Sequence, residues 1–251
     1  MRQRAVTVHS IRFTERYSGL HSALQGKRLI AFDLDGTLID SVPDLAAAVA
    51  HALKALDLRQ PSEAEVRDWV GNGAPILVER ALTWALQTPP TPALQQRGYD
   101  AFMDYYGAAP HALTTLYPGV QQALQGLHQQ GMTLVLITNK PERFIEPLLQ
   151  HFELLDYFTL WVGGDSLAEK KPHPLPLLHA ARTCQIPAAG CVMVGDSRHD
   201  IAAGKAAGFT TVALPYGYNH GEPIEESHPD LVLSSLTELL TTTSQTTKAI
   251  E

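Results

Sequence analysis

The chain has 251 residues, 45% of them hydrophobic and 18% charged, which is typical of a folded globular protein with a sizeable core. Its net charge of −7 provides no basic field for a nucleic-acid backbone or an anionic membrane surface, so we expect neither partner. The two cysteines, Cys184 and Cys191, give no disulfide framework or zinc-ligand set and suit a reduced cytoplasmic protein. No apolar run has the length of a membrane span.

The two ends of the chain are polar. Residues 1–28 contain six Arg or Lys and one acid, Glu15, and they lack the continuous apolar stretch of a secretory signal. We therefore expect a flexible tail over residues 1–27, although the arginines are also compatible with a targeting presequence. A second flexible tail is expected over residues 241–251, TTTSQTTKAIE.

Five short segments rich in β-branched or apolar residues predict strands, because each is bounded by glycine, proline or polar turn residues. They are continuously apolar, as expected of strands covered on both faces of a parallel sheet. Helix-like stretches separate the last four, and this alternation predicts a doubly wound, Rossmann-like α/β core. The five segments are RLIAF (28–32), TLVLIT (133–138), FTLWVGG (158–164), CVMVGD (191–196) and TTVALP (210–215).

A long insertion separates the first two of these strands. Asp33 and Thr138, which end the two strands, are 105 positions apart, whereas a βαβ unit takes about 30 residues. The sequence between them is helix-like, with proline or Ser-x-x-Glu at predicted helix starts, and therefore predicts an inserted all-helical cap domain. The predicted segments are 28–41 and 115–240 for the α/β core, 42–114 for the cap, and Ser41–Pro43 and Thr115–Gly119 for two hinges.

Polar residues follow the predicted strands at the edge where ligands bind in open parallel sheets. They are Asp33 and Asp35 after the first strand, Thr138, Asn139 and Lys140 after the second, Lys170 and Lys171 after the third, and Asp196 and Asp200 after the fourth. Carboxylate oxygens suit Mg²⁺, which would also offset the repulsion between neighbouring aspartates and attract a phosphate. A lysine beside a hydroxyl and an amide can hold phosphate oxygens. Asp33 can then act as a covalent nucleophile on phosphorus, and Asp35 as general acid and base.

Four motifs resemble those of the haloacid-dehalogenase-like phosphatases and occur in the same order: DLDGT (33–37), ITN (137–139), KKPHP (170–174) and GDSRHD (195–200). The resemblance covers about residues 29–240, and the helical insertion matches the position of that family's cap. The roles that it implies are nucleophile and Mg²⁺ ligand for Asp33, acid–base catalyst and backbone-carbonyl Mg²⁺ ligand for Asp35, phosphate contacts for Thr138, Asn139 and Lys171, Mg²⁺ ligand for Asp196, and orientation of metal-bound water for Asp200. Lys171 is favoured over Lys170 because it directly precedes the motif proline.

Longer stretches, among them WVGNGAPILVERALTWA and VGDSRHDIAAGKAAG, resemble the bacterial members of this family that act on 2-phosphoglycolate. The implied activity is hydrolysis of 2-phosphoglycolate to glycolate and phosphate in the cytoplasm. In the cap, the turn Gly71-Asn72-Gly73 is the predicted substrate contact, because glycines let backbone N–H groups approach an anion. A plain helix-ending turn is the alternative. His199 replaces the asparagine that the fourth motif often has, and its ring can alter the pH profile.

Other functions fit part of this pattern. The motifs define phosphoryl transfer but not the leaving group, so a broad-specificity small-metabolite phosphatase and a sugar-phosphate mutase stay open. A dehalogenase needs neither Asp35 nor magnesium, and a phosphonate hydrolase needs a Schiff-base lysine in the cap, where Lys54 is the only lysine. The intact acidic set argues against a catalytically silent binding module. We expect a small phosphorylated metabolite as partner, and the sequence leaves monomer and homodimer open.

Overall fold

The computed structural model describes residues 17–242. In this part of the chain the strands are β1 (Tyr17–Leu20), β2 (Leu29–Phe32), β3 (Ile39–Asp40), β4 (Thr115–Leu116), β5 (Thr133–Ile137), β6 (Phe158–Val162), β7 (Cys191–Gly195), β8 (Thr210–Ala213), β9 (Leu231–Val232) and β10 (Leu240–Thr242). The helices are α1 (Val42–Ala55), α2 (Glu63–Trp69), α3 (Ala74–Leu86), α4 (Pro92–Ala108), α5 (Val120–Gln129), α6 (Ile145–His151), α7 (Leu175–Thr183) and α8 (Arg198–Ala207). None of these helices is both long enough and apolar enough to cross a membrane.

A parallel sheet of six strands forms the centre of the molecule, in the order β6-β5-β2-β7-β8-β9. The five predicted strands are confirmed, each within a few residues of its expected limits. The sixth, β9, has only two residues and lies at the sheet edge, so the sequence contains no apolar run long enough to indicate it. Because the chain leaves β2 toward one side of the sheet and later returns to the other, the carboxyl ends of β2, β5 and β7 border one crevice.

The central strand β2 is buried on both faces. Ile30 and Phe32 belong to one apolar cluster, whereas Leu29 and Ala31 belong to a second cluster on the other face. The first cluster includes apolar residues of α5 and α6, and the second includes those of α7 and α8. Two-sided burial explains why the strands are continuously apolar rather than alternating.

Helices α1 to α4 form the insertion, so the predicted fold class, a doubly wound sheet with a helical cap, is confirmed. Local signals explain where these helices begin. Ser62 and Glu65 form a reciprocal capping box at α2, and the Thr91 side chain caps α4 directly before Pro92. Buried residues of the cap helices belong to the same apolar cluster as Phe32 of the sheet. The cap therefore shares one continuous core with the sheet.

The two connections between sheet and cap run side by side. Strand β3 pairs antiparallel with β4, and Ile39 lies opposite Leu116. The buried Asp44 carboxylate, in the first turn of α1, accepts hydrogen bonds from the backbone N–H of Leu113 and from the N–H and hydroxyl of Thr114. The start and end of the cap are thus tied together, which fits a cap that moves as one unit; the hinge positions stay a prediction.

The predicted flexible tails need a correction where the structure describes them. Tyr17–Leu20 forms β1, which pairs antiparallel with β10 (Leu240–Thr242), and the pair packs near α5. The sequence analysis placed both segments in or next to tails because the isolated segments are short and polar. Their pairing depends on a partner more than 200 positions away, as the register Leu20 to Leu240 indicates. Residues 1–16 and 243–251, which the same prediction covers, lie outside the described residues.

Candidate active site

The first motif forms a tight turn at the end of β2. The backbone N–H of Asp33 donates to Val194 and so continues the sheet pairing by one residue. The chain then turns at Gly36, whose φ of 89° disfavours any residue with a side chain. A Cβ at Gly36 would lie 2.1 Å from the Asp196 carboxylate. Glycine at this position therefore lets the turn pack directly against Asp196.

Lys171 is the charged centre of the site. Its Nζ lies 2.8 Å from Asp33 Oδ1 and 2.6 Å from Asp200 Oδ1, and only 2% of the residue is exposed. Burial opposes the charged form, but Asp200 and Asp33 more than offset it, and the pKa of Lys171 is raised. Lys170 points elsewhere, since its Nζ donates to the backbone carbonyl of Asn72 in the cap, 2.8 Å away. Of the two lysines, Lys171 is the one in contact with the predicted nucleophile; its phosphate contact stays a prediction.

Asp196 and Asp200 have different partners. Asp196 accepts from the Thr37 hydroxyl and from the Tyr218 backbone N–H, both at 2.6 Å and both uncharged. Asp200 pairs with Lys171 and also accepts from the N–H and hydroxyl of Ser197, at 3.0 and 2.8 Å, which caps α8. Burial, together with Asp200 and Asp33, raises the pKa of Asp196 well above its ordinary value. Asp196 is therefore the carboxylate that lacks a compensating charge.

The three carboxylates at this edge can hold a divalent cation. Ligand oxygens from Asp33, Asp196 and Asp200 all lie within 4.8 Å of one another, and all three residues are buried. Burial raises the pKa of Asp33 to about 7, with Lys171 opposing and Asp200 adding to the shift. One ammonium against three carboxylates leaves an excess of negative charge, and hard oxygen donors suit Mg²⁺. The residues present therefore fit the metal that the sequence predicts.

Asp35 points away from this cluster. Its carboxylate pairs with Lys140, whose Nζ lies 2.9 and 3.2 Å from the two oxygens, and it accepts from the Ser41 hydroxyl at 2.6 Å. The two aspartates of the first motif thus have separate cations, Lys171 for Asp33 and Lys140 for Asp35. Separate surroundings are what two carboxylates need to perform different tasks in one reaction.

Thr138 and Asn139, at the end of β5, line the cleft in front of Asp33. The Thr138 hydroxyl accepts from the Lys140 backbone N–H at 3.2 Å. The Asn139 side-chain amide donates to the carbonyls of Gly71 and Lys171, at 2.9 and 3.0 Å. This amide joins the cap turn to the segment that carries Lys171, and the phosphate contact predicted for Asn139 stays a prediction.

The predicted cap turn reaches the same cleft. Gly71 and Gly73 line it and have φ values of 122° and 85°, which glycine adopts without strain. Asn72 lies between them: its carbonyl accepts from Lys170, and its side-chain amide lies 2.9 Å from His199 Nε2. The turn both ends one helix region and contacts the core, and its contact with substrate stays a prediction.

A largely apolar wall completes the cleft between cap and core. The wall residues are Leu45, Val70, Leu77, Phe102 and Phe144. Two polar groups also line the cleft on the cap-facing side, Tyr106 of α4 and Lys140. A cleft of this kind suits a small ligand.

The sequence analysis gave no role to several residues of the site. Lys140 was grouped with the polar residues after the second strand, but no task was assigned to it. Thr37 and Ser41 lie within or just after the first motif. They also follow the first predicted strand, so their sequence positions could have indicated the site. Tyr218, which contacts Asp196 and whose hydroxyl donates to Asp40, lies in the YGYNHGE stretch (216–222) but was given no role, because its partners are about 20 and 180 positions away.

Comparisons with known proteins agree with this geometry. Residues 30–214 match the family model described as haloacid dehalogenase-like hydrolase. A protein of Pseudomonas fluorescens (strain Pf0-1) named phosphoglycolate phosphatase is 48% identical over 226 residues, which cover 89% of this chain and 83% of the relative. A protein of the same name from Vibrio vulnificus (strain YJ016) is 49% identical over 215 residues, 85% of this chain and 94% of the relative.

A solved structure gives the same result for the fold. The crystal structure of a predicted phosphoglycolate phosphatase from Haemophilus somnus 129pt superposes with a TM-score of 0.82 at 39% identity, covering 85% of this chain and 96% of that one. The family model, the relatives and the four motifs at one sheet edge lead to one conclusion: this chain belongs to the haloacid dehalogenase-like hydrolase family.

Proposed function

We propose that this chain is a Mg²⁺-dependent phosphomonoesterase that hydrolyses 2-phosphoglycolate to glycolate and phosphate in the cytoplasm, through a phosphoryl-Asp33 intermediate. The observation that carries the proposal is the pairing of Asp33 with Lys171 beside the uncompensated Asp196, under a cleft that also contains Asp35. A nucleophile, a cation for the phosphoryl oxygens and a separate acid–base group are the parts that phosphoryl transfer through an aspartate requires.

In the first half of the reaction, Asp33 attacks phosphorus and the bond from phosphorus to the ester oxygen breaks. Lys171, whose Nζ lies 2.8 Å from Asp33, balances negative charge on the nucleophile and on the phosphoryl oxygens in this proposal. Asp35, in its protonated form, donates a proton to the departing glycolate oxygen. The products of this half are free glycolate and phosphoryl-Asp33.

In the second half, Asp35 takes a proton from water as that water attacks phosphorus. The bond between phosphorus and Asp33 breaks, phosphate leaves, and both aspartates return to their starting states. Carboxylates of Asp33 and Asp196 and the backbone carbonyl of Asp35 would hold Mg²⁺, with Asp200 orienting the site through Lys171 and Ser197. When bound, Mg²⁺ supplies positive charge that draws in the phosphate and stabilises its transferring group.

The choice of 2-phosphoglycolate is supported by the relatives, which carry the name phosphoglycolate phosphatase at 48–49% identity. The cleft is also compatible with a small substrate, because cap residues Val70, Gly71 and Leu77 line it together with Asp33. Closing the cap over such a substrate excludes bulk water and brings the leaving group within reach of the cap.

A substrate panel with metal removal tests the proposal. We expect chelation by EDTA to abolish phosphate release and added Mg²⁺ to restore it. Among 2-phosphoglycolate, a hexose phosphate, a nucleoside monophosphate and pyrophosphate, kcat/KM should be highest for 2-phosphoglycolate. A higher kcat/KM for the hexose phosphate would instead support a broad-specificity phosphatase, and full activity without metal would remove the role of Asp196.

A further inference from the structure

Lys140 is a buried cation that the reaction above does not use. Only 4% of the residue is exposed, and it is the one lysine or arginine among the described residues that line the cleft. Its Nζ lies 2.9 and 3.2 Å from the two oxygens of the Asp35 carboxylate, within ion-pair distance. A lysine side chain therefore lies in a cleft whose other charged lining groups, Asp33 and Asp35, are acidic.

Tyr106 lies on the cap side of the same cleft, next to Lys140. The residue is 3% exposed, and Lys140 Nζ lies 4.9 Å from the centre of its ring. Burial raises the pKa of Tyr106 to about 12, so the hydroxyl keeps its hydrogen. Among the described residues nothing accepts that hydrogen. A buried donor without an acceptor is unfavourable, which points to a ligand group that accepts from it.

We propose that Lys140 and Tyr106 form the subsite for the carboxylate of the substrate's leaving group. The inference rests on the proposed function and deepens it, because it names the feature that the cleft selects: a carboxylate one methylene group away from the phosphate ester oxygen. Lys140 supplies the charge and Tyr106 a neutral hydrogen bond. The core contributes one residue and the cap the other, so the subsite is complete only when the cap lies against the core.

The position of Asp35 supports this assignment. The general acid must reach the ester oxygen, and in 2-phosphoglycolate the carboxyl carbon is only two bonds from that oxygen. A cation for the carboxylate must therefore lie beside the general acid, and Lys140 Nζ lies 2.9 Å from the Asp35 carboxylate. An ammonium has three donors, and Asp35 also accepts from the Ser41 hydroxyl, so Lys140 can bind a second carboxylate while Asp35 keeps a partner.

The apolar wall strengthens the effect of this pair. Phe102 and Phe144 line the cleft beside Tyr106, and both rings are within contact range of it, with centroids 5.7 and 5.0 Å away. A low local dielectric makes a correctly paired carboxylate favourable and an unpaired one costly. The same surroundings disfavour a neutral polar leaving group, such as a sugar, that has no charge for Lys140.

Two variants and two substrates test the subsite. The substrates are 2-phosphoglycolate and ethyl phosphate, which carries a methyl group in place of the carboxylate. We expect Lys140→Met to lower kcat/KM for 2-phosphoglycolate by about thirtyfold or more, as for removal of one partner from a buried charge pair. Tyr106→Phe, which removes only the hydroxyl, should raise KM for 2-phosphoglycolate by about five- to tenfold with little change in kcat. Ethyl phosphate should change by less than about threefold with Tyr106→Phe.

Binding of a phosphonate separates recognition from the chemistry of Asp35. The analogue 3-phosphonopropionate has a methylene group where 2-phosphoglycolate has its ester oxygen, so Asp35 has nothing to protonate. In the presence of Mg²⁺, both variants should bind it more weakly than the unmodified enzyme does, while propylphosphonate binding stays the same. Exposed residues provide matched controls: Tyr105→Phe on the same helix and Lys54→Met on α1 should change neither ligand's affinity.

Equal losses for both substrates, with unchanged 3-phosphonopropionate binding, would overturn the proposal and leave Lys140 as a residue that only positions Asp35. Tyr106→Phe decides the question even if Lys140→Met does not fold, because it removes a single oxygen atom. Failure of the proposed function is visible separately. In that case the unmodified enzyme itself would hydrolyse ethyl phosphate or a hexose phosphate more efficiently than 2-phosphoglycolate.

Discussion

The cleft has two sides that are built differently. On the sheet side, Asp33, Asp196 and Asp200 come from the ends of β2 and β7 and the first turn of α8, and Lys171 connects two of them. Every one of these groups belongs to the α/β core. On the cap-facing side, Asp35 and Lys140 of the core meet residues that the cap supplies, such as Tyr106 and the Gly71-Asn72-Gly73 turn.

We expect the two sides to differ in what they do: the sheet side binds the phosphoryl group, and the cap residues select the substrate. The sheet side does not need the cap for its internal contacts, so it can handle the phosphoryl group that all substrates share. The cap-facing side depends on contacts between two parts of the chain, and it changes when the cap moves. A substitution on the sheet side, or at the acid–base catalyst Asp35, should therefore affect all substrates alike, whereas a substitution in the residues that the cap supplies should affect them unequally.

The largest effect is expected for Asp33→Asn on the sheet side. Asparagine keeps the shape but is not a nucleophile, so kcat should fall by more than about 10⁴-fold for every phosphate ester tested. The melting temperature should not fall, because the change also removes one of three crowded carboxylates. Turnover measurements and thermal unfolding check both points.

Asp57→Asn serves as the control for this variant, because it makes the same substitution at an exposed aspartate of the cap. Near-normal activity of Asp33→Asn would rule out the covalent mechanism. A loss confined to 2-phosphoglycolate would contradict the division between the two sides of the cleft.

The next largest effect is expected for Gly73→Val in the cap turn. A Cβ at Gly73 would lie 2.9 Å from the Asn139 carbonyl oxygen, and the φ of 85° is unfavourable for valine. The turn must then shift away from the core. We expect kcat/KM for 2-phosphoglycolate to fall at least about tenfold, equivalent to about 1.4 kcal/mol of transition-state binding. Methyl phosphate, which contacts the cap little, should lose much less.

Gly131→Val isolates the contribution of backbone strain to this result. Gly131 also has a positive φ, 77°, but a Cβ there would meet nothing within 4 Å, and the residue lies between α5 and β5. This control should lower stability without changing substrate preference. If Gly73→Val reduced both substrates in equal proportion at an unchanged melting temperature, the turn would have no role in substrate choice.

The same division describes how far the sequence predicted the molecule. Asp33, Lys171 and Asp196 end or follow apolar runs, and the topology of a parallel sheet brings such positions to one edge. Short sequence motifs therefore predicted which residues lie together on the sheet side. The contacts of Tyr106 and of Asn139 with the other domain depend on how the cap packs on the core, which no local pattern encodes. Pairing of β1 with β10 was missed for the same reason, since it joins the two ends of the described chain.

The smallest effect concerns His199, which lies where the two sides meet and contacts Asn72 of the cap. Burial, with a smaller contribution from His220, lowers the pKa of His199 to about 4, and Asp200 only partly opposes this. In the unfolded chain a histidine has a pKa near 6.5. The unfolded state therefore binds more protons between pH 6.5 and pH 4, and the free energy of unfolding should decrease as the pH falls through that range. Because the ring is only partly buried, we expect a contribution of about 1 kcal/mol after allowing for solvent screening.

The variant His199→Asn, which cannot be protonated, should show a smaller decrease in the free energy of unfolding between pH 7.5 and pH 5. Urea unfolding in saturating Mg²⁺ at pH 5 and at pH 7.5 measures this change in the free energy of unfolding. His173 is an exposed histidine of the 170–174 segment, and His173→Asn controls for loss of a histidine elsewhere. An identical pH dependence for His199→Asn and the unmodified protein would show that His199 does not contribute to the decrease in stability at low pH.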